Sequence, residues 1–308
     1  MLKEALNGNI RMLSRLITEI ESRSPKSLKL MPEIYDAKKG ALYVGVTGPP
    51  GAGKSTIVDQ LTHLLRKTDK RVGIIAIDPS SPFSGGAVLG DRIRMQRHAT
   101  DPGVFIRSLG SRGSHGGLSR ATRDIACCFD AAGFDWVIIE TVGVGQTELD
   151  IMELAQTTIV VLVPEAGDTI QTMKAGLTEI ADIFVVNKAD RAGADQMAQW
   201  LSASVELDSQ KGEWQAPVLM TKAPIGEGIP DLLKKIIEHK DFSSGDKDQS
   251  KRQKDIRRAE FLEMCREALG QKLIERAQKS KALSKIVSDV VGGKENPYRA
   301  VQKFLKTF

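Results

Sequence analysis

The chain has 308 residues, 41% of them hydrophobic and 27% charged, and a formal net charge of +5 at pH 7. That length suffices for one large α/β domain with a smaller appendage, and the absence of a long uninterrupted apolar run argues against a transmembrane helix. The 3 cysteines include no Cys-x-x-Cys or Cys/His tract, which excludes a disulfide framework and a cysteine metal site. We therefore expect a cytoplasmic protein with reduced thiols and no membrane partner.

Apolar residues at helical spacing predict an N-terminal helical segment over residues 1–40. Five of them recur every three or four positions, which is typical of an amphipathic helix: Leu6, Ile10, Leu13, Ile17 and Ile20. Ser24 and Pro25 should end this helix, because a proline disfavours helical geometry in the residue before it. A short second helix is expected before Gly40.

Residues 41–240 alternate short apolar runs with helical patterns. Uninterrupted runs of Val, Ile and Leu joined by helices predict a mainly parallel sheet that helices cover on both faces. The runs lie at 42–47, 72–77, 104–106, 136–139, 158–163, 183–186 and 217–220. Because ligands of such sheets bind beyond the carboxyl ends of the strands, we expect the site at that edge.

The C-terminal part, residues 250–308, is predicted to be a helical segment behind a polar linker at 241–248. Apolar residues at helical spacing indicate one long amphipathic helix, followed by shorter ones at 281–290 and 297–308. Acidic residues interleave the basic cluster at 247–258, which favours a solvated helix face over a nucleic-acid surface. The segment is too small for its own core, so it should pack on the parent domain or on a partner subunit.

The most specific motif runs from Gly48 to Ser55 and fits G-x-x-x-x-G-K-[ST], the phosphate-binding loop of P-loop NTPases. It lies between a predicted strand and a predicted helix, as that loop requires. Its glycines allow the backbone to wrap around a polyphosphate with N–H groups pointing inward. We expect Lys54 to reach the β- and γ-phosphates and the Ser55 hydroxyl to bind Mg²⁺. The predicted nucleotide-binding residues here are Gly48, Pro49, Pro50, Gly51, Ala52, Gly53, Lys54, Ser55 and Thr56.

A second motif, N-K-x-D at Asn187, Lys188 and Asp190, indicates guanine recognition. The Asp190 carboxylate can accept hydrogen bonds from guanine N1–H and the 2-amino group, a donor pair that adenine lacks. Lys188 can lay its alkyl stem along the base. Because an unsatisfied buried polar group costs about 1–3 kcal/mol, this motif would select GTP over ATP. Beyond the next strand, backbone groups of a short segment are placed to contact guanine O6: Lys222, Ala223 and Pro224.

Three acidic residues are candidates for the Mg²⁺ region, namely Asp78, Asp91 and Glu140. Because Mg²⁺ takes few carboxylates and several waters, each acid could act directly or through water. Glu140 begins the stretch E-T-V-G-V-G-Q, in which the Gly143 N–H is placed to meet the γ-phosphate and to sense its loss. Lys54, Asp91 and Glu140 are the candidate catalytic residues, and the group that activates water is left open, with Gln146 as one candidate.

Together these motifs resemble those of the MeaB/ArgK family, GTPases associated with methylmalonyl-CoA mutase. The resemblance rests on residues 48–56, 77–82, 90–95, 112–113, 116–117, 140–146 and 187–190, and it covers roughly residues 41–230. It implies a chaperone that gates cofactor loading of an adenosylcobalamin-dependent acyl-CoA mutase and protects that enzyme. It also implies switch regions at 78–95, 140–150 and 163–174, and a homodimer built by the C-terminal helical arm.

Two other functions share the predicted fold class. A nickel-delivery GTPase of the hydrogenase or urease maturation type would need metal-binding His or Cys residues, and the sequence has no His-rich tract. An ATP-dependent transport-associated kinase or transporter ATPase finds no support in these motifs, since no ABC-type signature is present. The chain departs from the family in the order of Ser114 and His115, and in carrying Lys222 where a serine is usual.

Overall fold

A seven-stranded sheet, with every pair of neighbouring strands parallel, organises the described part of the chain. The structure is a computed structural model, and it describes residues 1–78, 95–110, 120–141, 147–166, 180–208, 214–245 and 247–306. The order across the sheet is β3-β2-β4-β1-β5-β6-β7, which confirms the predicted parallel α/β architecture. The strands are β1 (Leu42–Thr47), β2 (Val72–Asp78), β3 (Val104–Gly110), β4 (Trp136–Glu140), β5 (Thr157–Leu162), β6 (Ile183–Asn187) and β7 (Val218–Thr221).

Helices cover both faces of this sheet, because successive strand residues point to opposite sides and both sides are apolar. In β1, Val44 and Val46 pack with α4 and α8, whereas Tyr43 packs among the N-terminal helices and α5. The helices of this first unit, Met1–Gly245, are α1 (Leu2–Leu6), α2 (Ile10–Glu21), α3 (Pro25–Asp36), α4 (Lys54–Arg66), α5 (Arg120–Ala131), α6 (Thr147–Leu154), α7 (Ala194–Asp208) and α8 (Ile229–Gly245).

The N-terminal helices differ in detail from the prediction. The single helix expected from Leu6 onward is two helices, because Gly8 adopts φ +92° between α1 and α2, and the Asn9 side chain then caps α2. Ser24 and Pro25 follow the end of α2, as expected, and they also begin α3. The Ser24 hydroxyl accepts the Ser27 N–H at 3.1 Å, and Pro25 lies in the first turn, where a missing N–H costs nothing.

Asp130 of α5 fixes the start of β1. One of its oxygens, Oδ1, accepts the backbone N–H groups of Lys39, Gly40 and Ala41 at 2.7, 2.8 and 3.1 Å. The other, Oδ2, accepts the Tyr43 hydroxyl at 3.0 Å. Burial raises the pKa of Tyr43 far above its usual range, and the charge of nearby acidic groups adds to this. The phenol therefore stays a donor, and the strand that leads into the phosphate loop is held at its entry.

The second unit, Asp246–Phe308, is helical where it is described. It comprises α9 (Lys247–Lys279), α10 (Lys281–Val291) and α11 (Pro297–Lys306), and the Ser280 side chain caps α10. Leu283 and Ala300 are buried, but large apolar side chains on all three helices are exposed: Phe261, Leu262, Met264, Leu269, Ile274, Val287, Val291, Tyr298, Val301 and Leu305. Among the residues that the structure describes, no helix has the length and hydrophobicity of a membrane span.

The boundary between the two units falls inside the predicted linker at 241–248, but the described residues of that stretch are helical. Helix α8 continues to Gly245, and α9 begins at Lys247. The polar composition conceals two anchoring contacts on α8. Phe242 packs against Trp214 with ring centroids 5.4 Å apart, and Ser243 Oγ lies 3.2 Å from His239 Nε2. A helix can therefore persist there although most of its side chains favour solvent.

Candidate functional site

The loop that connects β1 to α4 is shaped by its glycines. Gly48, Gly51 and Gly53 have φ values of +139°, +76° and +88°, which L side chains rarely adopt. A Cβ on Gly48 would lie 2.0 Å from the carbonyl oxygen of Val161, and one on Gly53 would lie 2.3 Å from Asn187 Nδ2. These two glycines are required by the packing of the loop against β5 and β6, independently of any ligand.

Lys54 is buried and curves back over the loop. Its Nζ donates to the carbonyl oxygens of Gly48 and Pro49 at 2.7 and 3.1 Å. The same residue begins α4, whose N-terminus contributes a partial positive charge. An ammonium group and a helix N-terminus thus converge on the loop in which the motif predicts phosphate.

Ser55 and Glu140 meet beside the loop. The Ser55 hydroxyl donates to Glu140 Oε1 at 2.6 Å, and both side chains are buried. Glu140 is the last residue of β4, in register with Val46 of β1 and Ala76 of β2. A hydroxyl and a carboxylate are oxygen ligands of the kind that Mg²⁺ takes, so the residues present fit that ion.

The structure does not test the predicted roles of three further residues. Asp78 ends β2, the neighbour of β4, but only its backbone is described. Asp91 and Gly143 lie outside the described residues, as do residues 79–94, 142–146 and 167–174 of the predicted switch regions. Their roles remain predictions.

Asn187, the last residue of β6, joins two parts of the site. Its Nδ2 donates to the Ala52 carbonyl at 2.8 Å, and its Oδ1 accepts the Thr221 hydroxyl at 3.0 Å and the Ala223 N–H at 3.2 Å. Asn187 is buried. The side chain therefore ties the phosphate loop to the segment that follows β7. The N-K-x-D motif predicts a nucleotide contact for Asn187 and carries no signal for this joint, because the partners of the side chain are 135 and 34 positions away.

Lys188 and Asp190 lie on a tight turn next to that joint. Lys188 has φ +58°, and its carbonyl accepts the Arg191 N–H at 2.9 Å. Asp190 is exposed. Arg191 pairs with Glu165, which follows β5, and this hydrogen bond lowers the pKa of Glu165. The Ala189 N–H donates to the Thr221 carbonyl at 3.0 Å, so the turn and the segment at 222–224 lie side by side, as the motif predicts.

Two histidines outside the predicted site, His98 and His239, are buried and bonded. His98 Nε2 lies 3.2 Å from the carbonyl oxygen of Asp59 on α4. His239 Nδ1 lies 2.8 Å from the Thr157 hydroxyl at the amino end of β5, away from the phosphate loop. An isolated histidine carries no spacing signal that could have revealed either contact. The described residues contain no group of three or more His, Cys, Asp or Glu positioned to hold a metal.

Comparison with known proteins places this site in a family. A family model described as methylmalonyl-CoA mutase-associated GTPase MeaB matches residues 13–278. A protein of Pyrococcus abyssi is 45% identical over 312 residues, which cover 99% of this chain and 95% of its own. The Escherichia coli GTPase ArgK is 38% identical over 241 residues, covering 76% of this chain and 73% of its own.

A mammalian relative and a solved structure extend these matches. The mouse protein named methylmalonic aciduria type A homolog, mitochondrial, is 35% identical over 209 residues, covering 66% of this chain and 50% of its own. The crystal structure of a protein named LAO/AO transport system kinase has a TM-score of 0.70 and 26% identity, covering 99% of this chain and 95% of its own. This chain belongs to the MeaB family of methylmalonyl-CoA mutase-associated GTPases, and it is an enzyme that hydrolyses GTP.

Proposed function

We propose that this GTPase is a chaperone of an adenosylcobalamin-dependent acyl-CoA mutase of the methylmalonyl-CoA mutase type, which it loads with cofactor and protects. The observation that carries the proposal is the match to a mutase-associated family over residues 13–278. That range includes all the predicted nucleotide-binding residues and reaches into the second unit. The mouse relative, named for methylmalonic aciduria, supports the same partner. We place this function in the cytoplasm.

In this proposal GTP and GDP bind along the carboxyl edge of the sheet. The phosphates lie in the loop from Gly48 to Thr56, where Lys54 neutralises their charge. The guanine base lies between Lys188 and Asp190 on one side and the segment 222–224 on the other. Because Asn187 is bonded to both halves, a shift of the phosphate loop is transmitted to the base-binding segment.

Ser55 and Glu140 would hold Mg²⁺, with Asp78 and Asp91 as further candidates and Gly143 facing the γ-phosphate. The ion, when bound, neutralises the charge of the β- and γ-phosphate oxygens. The buried Glu140 carboxylate and the Ser55 hydroxyl, already 2.6 Å apart, would need little rearrangement to share one cation. Catalysis by positioning and charge neutralisation suits a slow GTPase that a partner accelerates.

The second unit is proposed to form a homodimer. Ten large apolar side chains are exposed on its three helices, and contiguous exposed apolar surface in a folded protein marks an interaction site. The basic residues Lys254, Arg257 and Arg258 are exposed as well, on the N-terminal half of α9, as expected for a solvated helix face.

GTP turnover with and without the mutase tests the proposal. We expect purified methylmalonyl-CoA mutase to raise the GTP hydrolysis rate severalfold, and we expect cofactor-loaded mutase to stay active longer when this protein and GTP are present. Lys54→Ala should abolish both effects. An unchanged GTPase rate at saturating mutase, together with no co-elution, would sink the proposal.

One alternative has an observation behind it. The name of the matched crystal structure would suggest an ATP-dependent transport-associated kinase. That function predicts phosphate transfer from ATP to a protein acceptor, which radiolabelled ATP would detect. The nickel-delivery alternative predicts stoichiometric nickel binding in equilibrium dialysis.

A further inference from the structure

Two buried threonines meet where β1 and β4 end. The Thr141 hydroxyl donates to the Thr47 hydroxyl at 2.8 Å, and the two side chains are 1% and 0% exposed. The Thr141 N–H donates to the Val46 carbonyl at 3.0 Å, which continues the hydrogen bonding between the two strands by one residue past Glu140. A backbone bond and a side-chain bond therefore join the same two strand ends.

Each threonine is next to a residue on which the nucleotide site depends. Thr47 precedes Gly48, the first residue of the phosphate loop, and Thr141 follows Glu140, the proposed Mg²⁺ ligand. A side-chain contact between neighbouring strands stabilises their pairing. The threonine pair therefore restrains where the phosphate loop begins relative to the Glu140 carboxylate, although neither threonine is among the predicted site residues.

The threonine pair and the proposed metal site lie on opposite faces of the sheet. Successive residues of a strand point to opposite sides, so Glu140 faces Ser55 of α4 while Thr141 faces the other side. On that side α6 packs closely on β1, because a Cβ on Gly45 would lie 2.6 Å from the Ile151 side chain. The hydroxyl contact can therefore act on the metal site only through the backbone of the two strands.

We propose that Thr47 and Thr141 are positioning residues for the Mg²⁺ site of this GTPase. Their hydroxyl contact fixes the end of β4 against the end of β1, and so keeps the Glu140 carboxylate beside the Ser55 hydroxyl, 2.6 Å away. The inference rests on the proposed Mg²⁺ role of Ser55 and Glu140. Because Mg²⁺ demands near-ideal octahedral geometry, a small displacement of the carboxylate lowers the affinity for the ion.

The Mg²⁺ dependence of nucleotide binding tests this role. Isothermal titration calorimetry would measure the affinity for a non-hydrolysable GTP analogue in EDTA and at stepped Mg²⁺ concentrations. Thr141→Val removes the hydroxyl and keeps the branched shape. We expect it to raise the Mg²⁺ concentration for half-maximal tightening about fivefold, the equivalent of one net hydrogen bond, and to leave the affinity in EDTA unchanged. An unchanged half-maximal concentration, or an equal loss of affinity with and without Mg²⁺, would overturn the proposal.

Two further variants separate the hydroxyl contact from packing and stability. Thr141→Ser keeps the hydroxyl and should show the wild-type Mg²⁺ dependence. Replacing both threonines with valine leaves no unsatisfied hydroxyl, so urea unfolding should show a stability closer to the wild type than that of Thr141→Val. The Mg²⁺ requirement of this double variant should nevertheless stay as high as in Thr141→Val. A wild-type Mg²⁺ dependence in the double variant would mean that packing alone matters, and it would contradict the proposal.

Two controls locate the effect. Thr62→Val removes another buried hydroxyl, which donates to the Val58 carbonyl within α4 at 2.7 Å, and it should leave the Mg²⁺ dependence unchanged. A shift as large as that of Thr141→Val would mean that any lost buried hydroxyl has this effect, and the positioning role would fall. Failure of the proposed Mg²⁺ site itself would appear differently, because Glu140→Gln would then keep the wild-type Mg²⁺ dependence.

Discussion

Gly48 and Gly53 show that single residues of the phosphate loop are constrained by the protein before any ligand binds. Gly48 faces a backbone carbonyl of β5, and Gly53 faces the end of the Asn187 side chain. Gly51 has a similar left-handed φ, but a Cβ there would meet nothing within 4 Å. Gly51 and Gly53, at φ +76° and +88°, share one backbone strain and differ in contact, which makes them a matched pair, whereas Gly48 lies at φ +139°.

Replacing each of these glycines with alanine in turn should show how strongly each contact limits the stability of the loop. Gly51→Ala should lower the free energy of unfolding by about 1–2 kcal/mol, because a residue with a Cβ is strained in the left-handed conformation. Gly53→Ala should lower the free energy of unfolding further, because the Asn187 side chain must move to make room. Gly48→Ala should lower it the most, because the backbone carbonyl that its Cβ would meet cannot move. Urea unfolding of nucleotide-free protein measures the order. A Gly51→Ala variant as unstable as Gly48→Ala would contradict the explanation by contact.

At the scale of elements, α5 and β1 are joined through Asp130 and Tyr43. The Asp130 carboxylate accepts three backbone N–H groups and the phenol at one buried place. This joint aligns the N-terminal helices with the strand that feeds the phosphate loop. Its pH dependence follows from the raised pKa of Tyr43.

Stability at alkaline pH should reveal this joint. An unfolded Tyr43 titrates near pH 10, whereas the folded phenol stays protonated, so the unfolded state gains stability as the pH rises above about 10. At pH 7, Tyr43→Phe should have a free energy of unfolding about 1 kcal/mol below that of the wild type, because the variant lacks the hydrogen bond to Asp130. This difference should be smaller at pH 11. Thermal unfolding across this pH range measures it, with the exposed Tyr35→Phe as control. A stability difference between the variant and the wild type that stays constant with pH would contradict this explanation.

Local patterns in the sequence predicted most elements, and they failed where distant contacts decide. The strand and helix around Gly48 were predictable because their apolar spacing is local, and N-K-x-D marked the end of β6. The break at Gly8 was missed because the apolar period continues across it. The helix through Phe242 was missed because the ring that Phe242 packs against, Trp214, lies elsewhere in the chain. The joint at Asn187 depends on three partners that only the folded sheet brings together.

At the scale of the whole molecule, the chain divides into a nucleotide-binding unit and a helical unit. The second unit buries Leu283 and Ala300 but exposes apolar side chains on every described helix. A surface of this kind is costly in water unless it is covered. The proposed homodimer covers it with a second copy.

Charged substitutions on α9 should separate the copies. Leu269→Glu combined with Ile274→Glu should give a monomeric protein in light scattering after size exclusion, because each buried carboxylate would need a partner. Its affinity for GDP should stay unchanged. Lys272→Glu, on the same exposed stretch, serves as the charge control and should remain dimeric. An unaltered mass for the double variant would contradict the proposed interface.

Nucleotide selectivity tests the central claim most directly, namely that Asp190 makes this P-loop enzyme specific for guanine. Steady-state hydrolysis of GTP, ATP and XTP would be compared for the wild type and Asp190→Asn. The wild type should prefer GTP over ATP by about 100-fold or more in kcat/KM. In Asp190→Asn the preference should pass from GTP to XTP, because xanthine presents a carbonyl where guanine has its 2-amino group and the asparagine amide can donate to it. Equal use of GTP and ATP by the wild type, or an Asp190→Asn variant that still prefers GTP to XTP, would contradict the account.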